Sequence, residues 1–95
     1  FGLGFGKAPR SPQKLALDRH TDRRDVTVRW EPVKGAQGYN VLWGIAPDKL
    51  YSSWMVYGGN ELEMKSLTID QDYYFAVEAF NENGVSLPSE TKYVE

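Results

Sequence analysis

The stretch DYYFAVEAF, residues 72–80, sets apolar side chains at every second position: Tyr73, Phe75, Val77 and Ala79 on one side of an extended chain, Tyr74, Ala76, Glu78 and Phe80 on the other. A period of two belongs to a β-strand with a buried face, because successive side chains leave the backbone on opposite sides. Working outward, DVTVRWEP (25–32) repeats the pattern with Val26, Val28 and Trp30 inward and Thr27, Arg29 and Glu31 outward. GYNVLWG (38–44) does so with Tyr39, Val41 and Trp43, and ELEMKSL (61–67) turns Leu62 and Met64 inward. YSSWMVY (51–57) alternates less cleanly. The three- and four-residue spacing of an amphipathic helix is hard to find.

Glycine and proline punctuate these runs. PVKGAQG (32–38), APD (46–48), YGGN (57–60) and NENG (81–84) stand where strands should end, and Asn83-Gly84 is a strong hairpin signal. With QKLAL (13–17) early and ETKYV (90–94) at the end, the chain reads as about seven short antiparallel strands, spaced as in a β-sandwich.

A chain of 95 residues with 41% hydrophobic content supports one core, burying roughly 60–68% of its unfolded surface at this size. The net charge of −2 is too small for a binder of polyanions, and no basic stripe with interleaved aromatics suggests nucleic acid. The charge is nevertheless uneven. Residues 1–34 hold eight Lys/Arg against four Asp/Glu, and the remainder three against nine, an asymmetry that suits docking to another surface. No apolar run approaches the roughly 18–20 residues of a membrane span, and no signal peptide is visible. A start at Phe1 rather than Met is expected of a segment from a longer or processed protein. With no cysteine there is no disulfide framework, thiolate metal site or cysteine nucleophile.

The order Pro12, Leu15, Val28-x-Trp30, Gly38-Tyr39-x-Val41, Leu67, Tyr73-x-Phe75-x-Val77-x-Ala79, Asn81 and Gly84 resembles a fibronectin type III domain over residues 12–95. Residues 1–11 are then a linker or junction strand from an upstream domain. The resemblance implies an all-β, seven-strand antiparallel immunoglobulin-like sandwich with Trp30 as core anchor. It also implies a tyrosine corner from Leu67 and Tyr73, although TIDQD (68–72) replaces the family's usual Pro-Gly-Thr. More narrowly, residues 38–86 are similar to modules appended to bacterial secreted glycoside hydrolases of the family 43 xylosidase and arabinosidase type. That similarity implies a non-catalytic accessory module, secreted, periplasmic or on the cell surface, whose partner is the catalytic domain of the same polypeptide.

Residue by residue, catalytic and cofactor chemistry find little footing. FGLGFGKAP (1–9) fits neither a Walker loop, since Gly2 and Gly6 are one residue too close and Ala8 replaces the hydroxyl, nor a dinucleotide fingerprint, so no cofactor is expected. Phe1, Leu3 and Phe5 alternate with glycine as a connector or junction strand would. Glu61 and Glu63, about 6.6 Å apart along a strand, approach the spacing of inverting glycosidases. A solvated strand face, however, has no means of raising one pKa. Asp70 and Asp72 fare no better. His20 is the only histidine and has no second imidazole with which to share a metal. Arg19, Arg23 and Arg24 alternate with Asp18, Asp22 and Asp25, which reads as solubility rather than an anion site, and RRD (23–25) lacks the glycine of an integrin-binding motif.

The aromatics carry the functional expectation. Trp30, Tyr39, Tyr73 and Phe75 belong to the core pattern, whereas Tyr51, Trp54, Tyr57, Tyr74 and Phe80 are sent outward or left undecided. An exposed cluster of Tyr51, Trp54, Met55 and Tyr57 fits a domain interface, a setting rich in Trp, Tyr, Phe and Met. The alternative is a carbohydrate-binding module that stacks polysaccharide on Trp54 and Tyr57. A cell-surface adhesion domain is a third class.

Overall fold

A computed structural model describes residues 9–22, 24–65, 67, 68 and 70–94. The junction expected over residues 1–11 falls largely outside them. The described residues form strands and no helix: β1 Ala16–Arg19, β2 Val26–Arg29, β3 Gly38–Gly44, β4 Ser52–Tyr57, β5 Glu61–Met64, β6 Tyr73–Asn81, β7 Gly84–Val85 and β8 Lys92–Val94. All pairings are antiparallel. One sheet has the order β1-β2-β5. The other runs β4-β3-β6-β7, with β8 also on β6.

The two sheets close face to face over the alternation read from the sequence. Val26, Val28, Val41, Phe75, Val77 and Ala79 are fully buried, and Trp30, Tyr39, Leu15, Met64, Leu67 and Tyr73 nearly so. Burying a Val, Leu or Phe side chain is worth roughly 1.5–3 kcal/mol, so this cluster outweighs any surface pair. Trp30 follows β2 at the centre, its ring 5.1 Å from that of Tyr39. The Trp30 and Trp43 indole N–H groups are buried with no acceptor among the described residues.

Three boundaries differ from the sequence expectation. The first strand begins at Ala16, not Gln13, because Lys14 takes a left-handed backbone (φ 57°) that interrupts the extended chain. The last hairpin turns one residue earlier than Asn83-Gly84: Asn81 pairs with Gly84, leaving Glu82 and Asn83 as the loop. There the Asn81 side chain accepts the Asn83 amide at 2.8 Å, a local bond that fixes the turn. Among the described residues eight strands are present rather than seven, because the segment after this hairpin is split. Pro88, which has no N–H to donate, lies between β7 and β8.

The flank of β6 is completed by two serines instead of a continuous strand. Ser86 and Ser89 are buried. Their hydroxyls accept the Ala79 and Val77 amides at 2.8 and 2.9 Å, and their own amides donate to the same residues' carbonyls.

The tyrosine corner forms despite the altered turn. The Tyr73 hydroxyl accepts the Thr68 amide at 2.9 Å. In place of Pro-Gly-Thr, the Arg19 guanidinium donates to the carbonyls of Thr68 (2.9 Å) and Gln71 (3.1 Å) and lies 5.4 Å from the Tyr73 ring centre.

Two substitutions test this architecture. Trp30→Ala is expected to cost about 3–5 kcal/mol, the range for truncating a buried aromatic, read as a fall in melting temperature and denaturation midpoint. Tyr73→Phe should retain the fold and cost on the order of 1 kcal/mol, one net hydrogen bond, while Tyr74→Phe costs less.

Candidate functional site

Several of the charged groups form surface pairs. Glu61 and Glu63 point to solvent from β5, where Arg29 pairs with Glu61 and Lys65 lies 3.6 Å from Glu63. Both carboxylates lie on an exposed strand face, each beside a cation. Tyr93 donates to Asp72 at 2.9 Å. His20 Nε2 bonds the Thr27 hydroxyl at 2.6 Å and helps bury a threonine that the alternation sends outward. Arg24 pairs with Asp22 at 2.9 Å, and Arg19 is committed to the tyrosine corner. The side-chain hydrogen bond from Arg24 holds the Asp22 carboxyl below its ordinary value. That contribution is present above the usual carboxylate pKa and lost as pH falls through the depressed one; on so exposed a pair, solvent keeps it small. Among the described residues no group of His, Asp and Glu is placed to hold a metal ion.

The aromatics are arranged differently. In the β3–β4 register Trp54 faces Val41 and Val56 faces Tyr39, whereas Met55 faces Asn40 and Tyr57 faces Gly38. Val41 and Tyr39 are core residues, so Trp54 leaves β4 on the inner side and Met55 and Tyr57 on the outer side. The four residues singled out in the sequence are all exposed: Tyr51 at 85%, Trp54 at 57%, Met55 at 52% and Tyr57 at 68%. Met55 and Tyr57 share a face. Trp54 projects from the opposite face, and Tyr51 precedes the strand.

Met55 and Tyr57 belong to a wider apolar surface that the sequence only half revealed. Across the outer face the register aligns Tyr57, Gly38, Phe80 and Val85 in one row. The Tyr57 and Phe80 rings meet edge to face over the glycine, centroids 5.7 Å apart and planes at 87°. A Cβ on Gly38 would sit 2.6 Å from Phe80 Cζ and 2.9 Å from the Val56 carbonyl oxygen, so only glycine lets the two rings close. In the next row Asn40 donates to Glu78 at 3.0 Å beside Met55. Further along, Tyr74 and Tyr93 pack with centroids 5.2 Å apart. A shallow depression of about 990 Å³ lies at the pole where the described chain begins, lined by Pro9, Arg10, Glu31, Val33, Lys34 and Asn81 among others.

The two sheets, the central tryptophan and the tyrosine corner coincide with a match to the fibronectin type III domain model over residues 10–95. The chain belongs to the fibronectin type III family. Among solved structures, an Fn3-like protein from Clostridium thermocellum superposes with a TM-score of 0.84 at 19% identity, covering 94% of both chains, a likeness of fold alone. The FN1–FN3 fragment of chicken CNTN1 gives a TM-score of 0.76 at 25% identity over 92% of this chain and 32% of that one. Neogenin of Rattus norvegicus is 28% identical over 99 residues, covering 94% of this chain but 7% of its own length. The fibronectin type III module here thus spans a small fraction of the curated relatives it matches.

Sequence reasoning placed Phe80 outward but missed its partnership with Tyr57. The signal was present, since a glycine that opens an alternating strand can mark a close approach. Gly38→Ala is expected to cost about 1–3 kcal/mol through overpacking, and to shift the Tyr57 and Phe80 ring resonances while the Trp30 signals stay in place.

Proposed function

We propose that the chain is a non-catalytic accessory module of a larger secreted bacterial glycoside hydrolase acting on xylan- or arabinan-type polysaccharide, where it spaces or braces the catalytic domain. The parent enzyme is inferred from the resemblance of residues 38–86 to modules of such enzymes. The observation that carries the bracing role is the outer face of the five-stranded sheet, where Tyr57, Phe80, Val85 and Met55 form a continuous apolar surface. Exposed tyrosine and methionine beside apolar neighbours have interface composition. The chicken CNTN1 fragment supports modular use of the fold, carrying it beside others of its kind. Against direct sugar binding, Trp54 and Tyr57 leave β4 on opposite sides and cannot stack on one oligosaccharide from a shared plane.

The test compares the isolated module with the full-length enzyme. Met55→Ala should lower the melting temperature of the full-length protein while changing that of the isolated module little, because exposed Met55 would make its contacts across the junction. Tyr57→Ala, which also loses the ring contact with Phe80, should lower the full-length protein's by more than the isolated module's. The isolated module should cleave no xylan or arabinan. Saturable calorimetric binding of those oligosaccharides to the isolated module, lost in Tyr57→Ala, would favour a carbohydrate-binding module instead.

A further inference from the structure

The edges of the two sheets are guarded unequally. A free edge offers unpaired N–H and C=O groups to any passing strand, and charge, proline or shortness normally blunts it. β5 carries Glu61 and Glu63 in four residues, β1 carries Asp18 and Arg19, and β7 has two residues with Pro88 close behind. The flank of β6 is further closed by Ser86 and Ser89. β4 has none of these devices. Its six residues, SSWMVY, include no charge and no proline, and no charged residue stands between Leu50 and Asn60. Among the described residues it pairs only with β3.

The hydrogen-bond alternation tells which backbone groups this edge presents. Val77 and Ala79 direct their N–H and C=O groups toward Ser86 and Ser89, so Tyr74, Ala76, Glu78 and Phe80 direct theirs toward β3. In β3 the residues opposite those four face β6, which leaves Tyr39, Val41 and Trp43 to bond β4 through their partners Val56, Trp54 and Ser52. Ser53, Met55 and Tyr57 therefore aim their amides and carbonyls at the open edge.

We propose that β4 is a self-association site, at which a second copy of this chain adds its own β4 antiparallel about a two-fold axis at Met55. This register pairs Met55 with Met55 of the second copy, Ser53 with Tyr57 and Trp54 with Val56. It uses every outward backbone group of the strand. An axis at Trp54 would strand Tyr57 opposite Tyr51, which lies outside β4. A second copy is the occupant favoured by charge. A two-fold sets each residue near its own image, which is repulsive for β5 with its glutamates and costs nothing for β4. The inner face agrees, because Trp54, half exposed beyond the narrower sheet, gains an apolar neighbour in Val56 of the second copy. A pairing strand only about 20 Å long buries less than a standard interface, so the dimer should be concentration-dependent.

Sedimentation equilibrium on the 95-residue chain, with amide exchange across the same concentration series, tests this directly. A monomer–dimer equilibrium is expected, with the Ser53, Met55 and Tyr57 amides gaining protection as concentration rises while those of Trp54 and Val56 are protected throughout. Met55→Lys should leave the melting temperature nearly unchanged at concentrations where the native chain is monomeric, and abolish the dimer at higher ones. Because the chain has no cysteine, Met55→Cys should cross-link on oxidation, its paired Cα atoms lying about 5.5 Å apart. Tyr57→Cys, displaced about 13 Å from its image, should not. A chain monomeric at every concentration, a dimer indifferent to Met55→Lys, or cross-linking equally efficient through Tyr57→Cys would each overturn the proposal. So would growth past the dimer into open-ended aggregates, which a closed two-fold contact forbids.

Discussion

The sheet of β1, β2 and β5 faces one in which β4, β3, β6 and β7 lie side by side, and this inequality governs what the molecule exposes. Neighbouring strands are about 4.8 Å apart, so the narrower sheet leaves the far strand of the wider one without cover. The inner face of β3 and β6 therefore holds Val41, Phe75 and Val77 with no exposure, while Trp54, on the same face one strand further out, is half solvated. A single strand is thus at once the margin of the core, the border of an apolar outer face and an open edge.

At the opposite side of the sandwich the constraint is polar. The chain must cross from β5 to β6 and still bring Tyr73 into the core, and a buried phenol needs a partner for its hydroxyl. The Thr68 amide supplies that partner. The turn around that amide is held by its own backbone bond, Gln71 donating to the Thr68 carbonyl at 3.2 Å, and by Arg19, which reaches from β1 to two carbonyls of the turn and lies over the Tyr73 ring. A rigid turn motif has been exchanged for a long cation held by hydrogen bonds to backbone carbonyls. Part of the turn's hydrogen bonding then comes from a residue about 50 positions earlier in the sequence.

How much of this was legible follows from which forces act locally. The inward residues of β2, β3, β5 and β6 were readable because burial imposes a period of two, and a one-residue slip would turn Val26, Val28 and Trp30 to solvent. The start of β1 was not, since Lys14's left-handed conformation leaves no mark that a lysine side chain would betray. The seven-strand expectation met a split final segment for a similar reason: Ser86 and Ser89 replace ladder bonds with hydroxyls, and serine in a polar tail carries no periodicity. The exposed aromatics were visible as residue types, but their assignment to faces required the pairing of β4. An edge strand is solvated on both sides, so its own alternation says little. Phe80 and Gly38 complete the outer surface from two strands that sequence distance separates by 42 positions, with Tyr57 between them.

The outer face and the open edge of β4 do not compete for the same space. Side chains of Met55 and Tyr57 stand roughly perpendicular to the sheet, whereas the backbone groups of the same residues lie in its plane. A neighbour docked on the face would contact the rings of Tyr57 and Phe80 and the thioether of Met55, leaving the N–H and C=O groups free to bond a strand alongside. Edge pairing would in turn extend that face across the two-fold axis, setting the Met55 and Tyr57 side chains of one copy next to those of the other. An apolar surface built from a few residues on one small module would then be doubled without any change of fold. Bracing and self-association can therefore coexist on one strand, and they separate cleanly by chemistry, one resting on side-chain burial and the other on main-chain hydrogen bonds.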